Sequence, residues 1–157
     1  MVMMKTARFL IMLIFISAMH SSGLAEAVKR TAKVIEVSGS VEVKMGKGPW
    51  EEAAEGVVLN ESDLVRTKKG SWAILNLDGR GETATVEVKE NTQMKLLELL
   101  ADKSEGSQST LLDVALGEVL IKAEKVHTAK SKFEVKTPTS IVAVRGTKFS
   151  VSVKAGE

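Results

Sequence analysis

Few side chains in this sequence are suited to catalysis. The chain has no cysteine and no tyrosine, and beyond its N-terminal segment His127 is its one histidine. Cysteine–histidine chemistry is therefore excluded, and a serine triad depends on His127 alone. A zinc site needs three or four convergent ligands, and no such spacing surrounds this histidine. We therefore predict a protein that is not an enzyme, with no catalytic residue, no metal ligand and no cofactor.

Paired carboxylates are the remaining catalytic candidates. A glycosidase brings its acid and base together through the fold, so spacing alone does not exclude Glu51 with Glu52 or Glu87 with Glu90. Adjacent residues of a strand point to opposite faces, however, and we expect charges beside turns to be solvated. A carbohydrate-acting enzyme therefore stays an alternative and is not the prediction.

The N-terminal segment has the pattern of a secretory signal peptide. Lys5 and Arg8 precede the apolar block 9–16, and the small residues Ala25 and Ala27 offer two equivalent cleavage sites. The block is much shorter than the about 20 residues of a spanning helix, which favours cleavage over a retained anchor. We predict a signal-peptide helix in residues 1–27, one domain in residues 28–157, and a periplasmic or secreted protein.

Charge and the predicted export argue against nucleic acid as a partner. The sequence has 22 Lys and Arg against 20 Asp and Glu, and cleavage after Ala25 removes Lys5 and Arg8, which leaves 20 against 20. The densest positive stretch, residues 122–136, is interleaved with Glu124 and Glu134, as on a solvated strand face. Contact of these lysines with an envelope glycan or lipid is the alternative.

Short segments of alternating apolar and charged residues predict an all-β domain, either an antiparallel sandwich or a rolled sheet. Residues 41–44 lead through a glycine turn to Trp50, which predicts one hairpin. Residues 73–77 and 83–88, joined through the dipeptide Asp78-Gly79, predict a second hairpin.

Three further segments bear on the predicted secondary structure. Residues 88–102 fit a helix nearly as well as a strand, because leucine, lysine, glutamate and methionine favour helix, but the neighbouring segments favour a strand. Residues 101–110 are polar and small, which predicts a loop between two halves. The pattern of residues 39–43, which begins with a glycine, recurs weakly at residues 117–121, which also begin with a glycine. This similarity indicates two β layers of related pattern.

An ordered series of landmarks, from about residue 34 to residue 153, resembles the FecR domain. The series opens with a glycine before an alternating strand and closes with Thr-Pro, Val-Arg-Gly-Thr and a phenylalanine. The residues that carry the resemblance are Gly39, Trp50, Asp63, Arg66, Thr67, Ser71, Asp78, Gly79, Gly117, Thr137, Pro138, Arg145, Gly146, Thr147 and Phe149. The resemblance implies an all-β domain on the outer side of a bacterial inner membrane, often a sensing or binding module.

Two features depart from the family pattern. Ser62 stands where the family usually has the glycine of a Gly-Asp turn, and we expect Asn60 to compensate because asparagine tolerates tight turns. Signalling members carry a cytoplasmic anti-sigma segment ahead of a transmembrane helix, whereas eight residues precede the apolar block here. We therefore expect the extracytoplasmic half alone, without direct transcriptional control.

A charged residue interrupts the most strand-like stretch of the chain. Residues 141–144 are a continuous apolar run, typical of a strand buried on both faces, and residues 149–153 alternate between apolar and polar. Arg145 between them is costly to bury unless it is paired. We expect Arg145 to bond Asp63 or backbone carbonyls of a neighbouring strand. We expect Gly146 to form a bulge or to let another backbone come close, and Thr147 to resume the strand pairing. A ligand contact at Arg145 is the alternative.

Together these observations predict a non-catalytic extracytoplasmic binding, scaffold or sensing module that contacts an envelope protein. The alternative is a carrier of an apolar or lipid-like ligand between two β layers, which a pocket lined by leucine and valine would support. Trp50 and Trp72 are expected to cover the open ends of the core, with stacking on a sugar as the alternative. No transmembrane segment is expected after signal cleavage.

Overall fold

The computed structural model describes residues 27–77, 84–123, 129–145 and 148–155. The strands in these ranges are β1 Val28–Lys29, β2 Ala32–Ser38, β3 Val41–Lys44, β4 Trp50–Glu52, β5 Val58–Leu59, β6 Leu64–Thr67, β7 Trp72–Leu77, β8 Ala84–Val88, β9 Gln93–Asp102, β10 Ser107–Ala123, β11 Lys132–Lys136, β12 Ile141–Ala143 and β13 Lys148–Val153. In the described ranges, no helix is long and apolar enough to cross a membrane. The predicted signal peptide and its cleavage sites lie outside these ranges.

The strands join into one curled sheet, a half-barrel, which confirms the all-β prediction and its rolled-sheet form. Neighbouring described strands run antiparallel, except that β11 runs parallel to β10. The first half of β10 pairs with β9 and β11, and its second half pairs with β8 and β13. The long strand β10 therefore belongs to both parts of the curled sheet.

We call the part that contains β1, β3, β4, β6, β9, β11 and β12 the first part of the sheet, and the part that contains β2, β5, β7, β8 and β13 the second part. Their apolar residues form one core cluster. Alternation places those residues inward: in β8 the alternate residues Ala84, Val86 and Val88 are buried, and in β3 Val41 and Val43 are buried. These strands therefore turn one face to the core and the other toward solvent.

Four long chain segments bend from one part of the sheet to the other. They are β2 with β3, β6 with β7, β8 with β9, and β10 alone, and each lies antiparallel to its neighbour in both parts. The bends fall at Gly39, at residues 68–71, at residues 89–92 and at Gly117. We call this row of four bends the corner line.

The structure decides between the local alternatives of the sequence. Residues 93–102 form strand β9, which confirms strand over helix. The predicted loop over 101–110 is wrong, because β9 continues to Asp102 and β10 begins at Ser107, which leaves a turn at 103–106. Both predicted hairpins are confirmed, β3 with β4 and β7 with β8, while the Asp78-Gly79 turn lies outside the described residues.

The apolar run 141–144 is not a strand buried on both faces. Its strand β12 pairs with β11, Ile141 is 62% exposed, and Val144 is buried at the end of the run. The chain then passes from β12 in the first part to β13 in the second part. The interruption at Arg145 therefore marks a change from one part of the sheet to the other.

Candidate functional site

The bend of β10 depends on a glycine. Gly117 has φ +96°, a conformation that residues with a side chain rarely adopt. A Cβ atom at this position would lie 2.2 Å from Oγ1 and 2.4 Å from Cα of Thr92. Glycine is therefore required here both by backbone conformation and by the close approach of the neighbouring bend.

Thr92 satisfies the backbone groups that the β10 bend frees. Its hydroxyl oxygen accepts the Glu118 N–H at 2.9 Å. It lies 3.1 Å from the carbonyl oxygen of Glu90 and 3.2 Å from that of Glu118, and it donates its hydrogen to one of them. Thr92 is buried, so its hydroxyl makes the hydrogen bonds to these backbone groups that water would make in a solvent-exposed bend.

The bend between β2 and β3 is built in the same way. Gly39 has φ +74°, and a Cβ atom there would lie 2.5 Å from the Ser71 hydroxyl oxygen. That oxygen accepts the N–H of Ser40, the residue after the glycine, at 2.8 Å. The weak similarity between residues 39–43 and 117–121 therefore corresponds to two glycine bends, each closed by a buried hydroxyl.

Thr67 joins the two inner bends of the corner line. Its hydroxyl donates to the Lys89 carbonyl at 2.5 Å and accepts the Thr92 N–H at 3.0 Å. Its own N–H donates to the Thr92 carbonyl at 2.9 Å. Hydrogen bonds of three buried hydroxyl residues, Thr67, Ser71 and Thr92, thus cross all four bends.

Sequence reasoning identifies most of the corner line. It singles out Gly39, Thr67, Ser71 and Gly117, which the structure brings together in one row. It misses Thr92 as a site residue. The signal for Thr92 is the preceding residue, an asparagine with φ +51°, which matches the glycine with φ +68° before Ser71.

Leu116 lies at the surface of the corner line. The alternation of β10 buries Leu112 and Val114, and continuing it would turn Leu116 inward. The pairing of β10 with β9 shifts register between Val114 and Leu116, and Leu116 is left 39% exposed. The apolar side chain of Leu116 is therefore exposed to solvent at the point where β10 bends.

Two clefts border the bend at 89–92, and Leu116 lines both. One of about 720 Å³ is lined by this bend, the bend at 68–71 and the end of β13, with the half-buried Trp72. The other, of about 490 Å³, is lined by Arg66 and Lys68. The corner line therefore carries two depressions at its third bend.

A third cleft, of about 520 Å³, lies between the turn at 137–140, β12 and the end of β13. Leu116 lines this cleft as well. Because Leu116 lines all three clefts, we call their lining residues together the Leu116 surface.

The turn between β11 and β12 borders the third cleft. The Thr137 N–H donates to the Ser140 carbonyl at 2.8 Å, and the Thr137 hydroxyl oxygen accepts the Ser140 N–H at 3.1 Å. Pro138 is exposed at the tip and lines the cleft. The predicted Thr-Pro landmark therefore shapes one wall of the Leu116 surface.

Trp50 and Arg66 lie on the outer face of the first part of the sheet. The Arg66 guanidinium carbon lies 4.0 Å from the centroid of the Trp50 ring. Arg66 also pairs with Glu42 through two hydrogen bonds, of 2.7 and 3.0 Å. The prediction that Trp50 covers an open end of the core is wrong, because its cross-strand partner Lys44 points outward next to the buried Val43.

This pairing changes the protonation of both partners. The hydrogen bond from Arg66, with a smaller contribution from its charge, holds the pKa of Glu42 below its usual value. The same bond raises the pKa of Arg66. Lys68 adds a contact to the Glu42 carboxylate at 3.4 Å. The cluster is therefore held in its charged form on a solvated face.

Asp63 stabilises two turns and does not meet Arg145. Its carboxylate accepts the Gly46 N–H at 2.8 Å and the Asn60 N–H at 2.7 Å. Ser62 itself has φ +76°, so the expected compensation by Asn60 is wrong, and the serine adopts the glycine-like conformation. Asp63 is thus a structural residue of the turn before β6.

Arg145 is exposed, which corrects the expectation of a buried and paired arginine. The expected partner Asp63 is occupied by the two backbone groups just described. Phe149 is half-buried and packs against the core, and the alternation of β13 is confirmed, with Val151 buried. The predicted site residues Asp78, Gly79, Gly146 and Thr147 lie outside the described part of the chain, as does His127, for which no catalytic role is predicted.

The two carboxylates of the candidate pair Glu87 and Glu90 bind different partners. A Glu87 oxygen lies 2.5 Å from the Lys89 ammonium, and a Glu90 oxygen accepts the Gly70 N–H at 2.5 Å. Within the part of the chain that the structure describes, no three acidic or histidine side chains converge as a metal site.

A family model described as FecR protein matches residues 63–157. The matched range includes three of the four bends of the corner line and the residues of the Leu116 surface. No curated protein and no solved structure matches the chain.

Proposed function

The chain belongs to the FecR family, and we propose that it is a sensing or regulatory module that binds an envelope protein through the Leu116 surface. The family match supports the first half of this proposal. The second half rests on the shape and composition of that surface. The proposed role is binding without catalysis.

The Leu116 surface has the composition of a protein-binding surface. Leu116 lines all three of its clefts, together with other apolar side chains and with polar ones. The apolar neighbours are Trp72, Val142 and Val153, and the polar residues include Asn91, Ser152 and Lys154. An apolar centre with a polar rim is the usual anatomy of protein interfaces.

The surface also rests on a rigid support. The corner line beneath it is closed by hydrogen bonds of buried hydroxyls, which tie each bend to the next. A binding surface on such a support loses little conformational freedom when a partner docks. Binding by a preformed surface is therefore the mechanism that we propose.

Site-specific photo-crosslinking tests the proposed function. A photoreactive amino acid replaces Leu116 in the full chain, expressed in its own source organism, and a matched variant carries it at Val58. Val58 is a suitable control because it is 47% exposed and lies in β5, at a distant edge of the sheet. We expect one envelope protein to crosslink at position 116 and not at 58. Equal crosslinking at the two positions, or none at 116, would contradict the proposal.

We further propose that the chain is exported and cleaved after Ala25 or Ala27. The charged start, the apolar block and the small residues support this proposal. Cell fractionation followed by mass spectrometry of the intact protein tests it. A mature N-terminus at Glu26 or Val28 in the periplasmic or secreted fraction is expected, and a full-length chain in the cytoplasm would be evidence against export.

A further inference from the structure

Strand β12 has one edge that no described strand covers. It pairs with β11 through Lys136 with Ile141, Val135 with Val142, and Glu134 with Ala143. Across residues 27–77, 84–123, 129–145 and 148–155, no second strand pairs with it. The backbone groups on its other edge are therefore open to a further strand.

Hydrogen-bond alternation identifies which groups these are. The Thr137 N–H bonds the Ser140 carbonyl, and the Val144 N–H bonds the Phe133 carbonyl. In an antiparallel pair, hydrogen-bonded and non-hydrogen-bonded positions alternate. Val142 therefore points its backbone groups at β11, and the residues on either side of it, 141 and 143, point theirs at the open edge.

Strand β13 borders the same cleft. The Glu118 carbonyl accepts the Lys89 N–H, so Glu118 points toward β8 and the adjacent Val119 points toward β13. Val119 lies opposite Val151, which makes Val151 a hydrogen-bonded position and directs the backbone of Ser150 away from β10.

The third cleft separates these two edge strands. Val142 of β12 and Val151 of β13 both line it, with Leu116 beside them. Its volume of about 520 Å³ is in the range of clefts that hold a ligand. Side chains at alternate positions of an added strand would enter this apolar cleft, while its backbone pairs with β12.

Charge indicates the kind of strand that fits. Residues 129–155 contain six basic side chains against the single carboxylate of Glu134. The basic residues are Lys130, Lys132, Lys136, Arg145, Lys148 and Lys154. Lys130 pairs with Glu105 and Lys136 with Asp113, which leaves four that form no ion pair among the described residues. The whole chain, by comparison, has a net charge of only +2. The open edge therefore favours an acidic partner, and a second copy of this chain would bring the same positive charge to it.

We propose that β12 takes up an extended acidic segment of a partner protein as an additional β-strand, with alternate apolar side chains in the cleft between β12 and β13. The segment extends the first part of the sheet and narrows the open side of the half-barrel. This inference rests on the proposed function, since it names the chemistry of the partner that the Leu116 surface binds.

A defined peptide pair tests the charge and the edge together. One peptide has six alternating valine and threonine residues with two glutamates at each end, and the other has lysines in place of the glutamates. Isothermal titration with the purified full chain compares their affinities. We expect the acidic peptide to bind at least about tenfold more tightly, with the difference reduced by salt. No binding of the acidic peptide at millimolar concentration, or equal binding of both, would overturn the proposal.

Two matched proline variants locate the strand. Ala143→Pro removes an N–H that points to the open edge of β12, and Ser150→Pro removes the corresponding N–H of β13, so each leaves the existing pairing of its strand in place. We expect Ala143→Pro to lose peptide binding and Ser150→Pro to keep it, with circular dichroism confirming that both fold. Loss in Ser150→Pro alone would overturn the assignment to β12. Dimerisation of the chain through this edge, seen by light scattering, would also overturn it.

The envelope partner separates this inference from the proposed function. If the partner that crosslinks at position 116 still crosslinks in the Ala143→Pro variant, the module binds its partner without strand addition, and only the inference fails. If nothing crosslinks at position 116 in the otherwise unchanged chain, the proposed function fails.

Discussion

The two glycine bends of the corner line have the same construction and different surroundings. At Gly39 and at Gly117 a buried hydroxyl accepts the N–H of the residue after the glycine. Ser38, before Gly39, is a half-buried polar residue, whereas Leu116, before Gly117, is an exposed apolar one. The same backbone arrangement thus has a structural role alone at the Gly39 bend, and at the Gly117 bend it also carries the proposed binding surface.

The residues that stabilise the two bends are therefore distinct from the residue that we propose for binding. The hydrogen bonds at both bends contribute to stability, because they satisfy partly buried backbone groups that the bends would otherwise leave without partners. The second bend lies beside an uncovered strand edge and an apolar cleft. Changes at the glycines and hydroxyls should therefore alter stability, and changes at Leu116 should alter binding.

The largest expected effect is the difference between two glycine substitutions. Gly117→Ala should lower the free energy of unfolding by about 3 to 5 kcal/mol, because the new Cβ meets backbone of Thr92 as well as adopting a positive φ. Gly39→Ala should cost about 1 to 3 kcal/mol, because its Cβ meets the Ser71 side chain, 2.5 Å from Oγ and 3.0 Å from Cβ, but stays 3.2 Å from the Ser71 backbone. Urea unfolding measures both. Equal losses would show that the two bends are equally tolerant.

Substitution of the two hydroxyl residues should show a smaller difference in stability, again with the larger loss at the Gly117 bend. Thr92→Val keeps the shape of the side chain, leaves the partly buried Glu118 N–H without its acceptor and removes the donor to a backbone carbonyl, which should cost about 2 to 3 kcal/mol. Ser71→Ala removes the acceptor of the Ser40 N–H and should cost about 1 kcal/mol. Thermal unfolding compares the two variants. A Thr92→Val variant as stable as the unmodified chain would refute the role given to this hydroxyl.

A glycine should stabilise the tight turn at Ser62, where a serine has a positive φ. Ser62→Gly should raise the free energy of unfolding by about 0.5 kcal/mol, since glycine adopts the observed φ of +76° without steric cost. Asn60→Gly is the control, because Asn60 does not have a positive φ and gains nothing from the change. Chemical unfolding of the two variants compares them. Stabilisation by Asn60→Gly and not by Ser62→Gly would restore the expectation drawn from the sequence.

The smallest effect concerns the pH dependence of stability and arises at Glu42, on the outer face of the first part of the sheet. The pKa of Glu42 is lowered in the folded chain by Arg66, so its contribution to stability is present above the ordinary pKa of glutamate and is lost as pH falls through the lowered value. The stability difference between the unmodified chain and Glu42→Gln, measured by urea unfolding, should therefore shrink in acid. Glu55→Gln, in an exposed turn, is the control. A difference that stays constant down to low pH would contradict the pairing.

Much of the fold can be predicted because it depends on local alternation. Residues 84–88 and 148–153 show which side chains point inward, and glycine marks the bends at Gly39 and Gly117. The partners of β10 cannot be predicted in this way, because one strand serves both parts of the sheet and pairing between distant segments leaves no local pattern. The parallel pair of β10 with β11 is of this kind.

The candidate site is harder to predict than the fold. Leu116 continues the alternation of β10 and therefore has the pattern of a core residue, but the register shift exposes it. Arg145 has the pattern of a buried charge because the residues before it are apolar, whereas β12 is a short strand with an open edge among the described strands. Exposure at a bend or an edge is a tertiary property, and neither periodicity nor composition indicates it.

Hydrogen exchange on the complex with the crosslinked envelope partner tests whether the Leu116 surface and the open edge of β12 bind this partner. We expect slower exchange at the amides of Leu116, Ile141 and Ala143 in the complex, with no change in the distant strand β5. Protection confined to β4 and β5, with unchanged exchange at Leu116, would place the binding surface at the far edges of the sheet and would refute binding at the Leu116 surface.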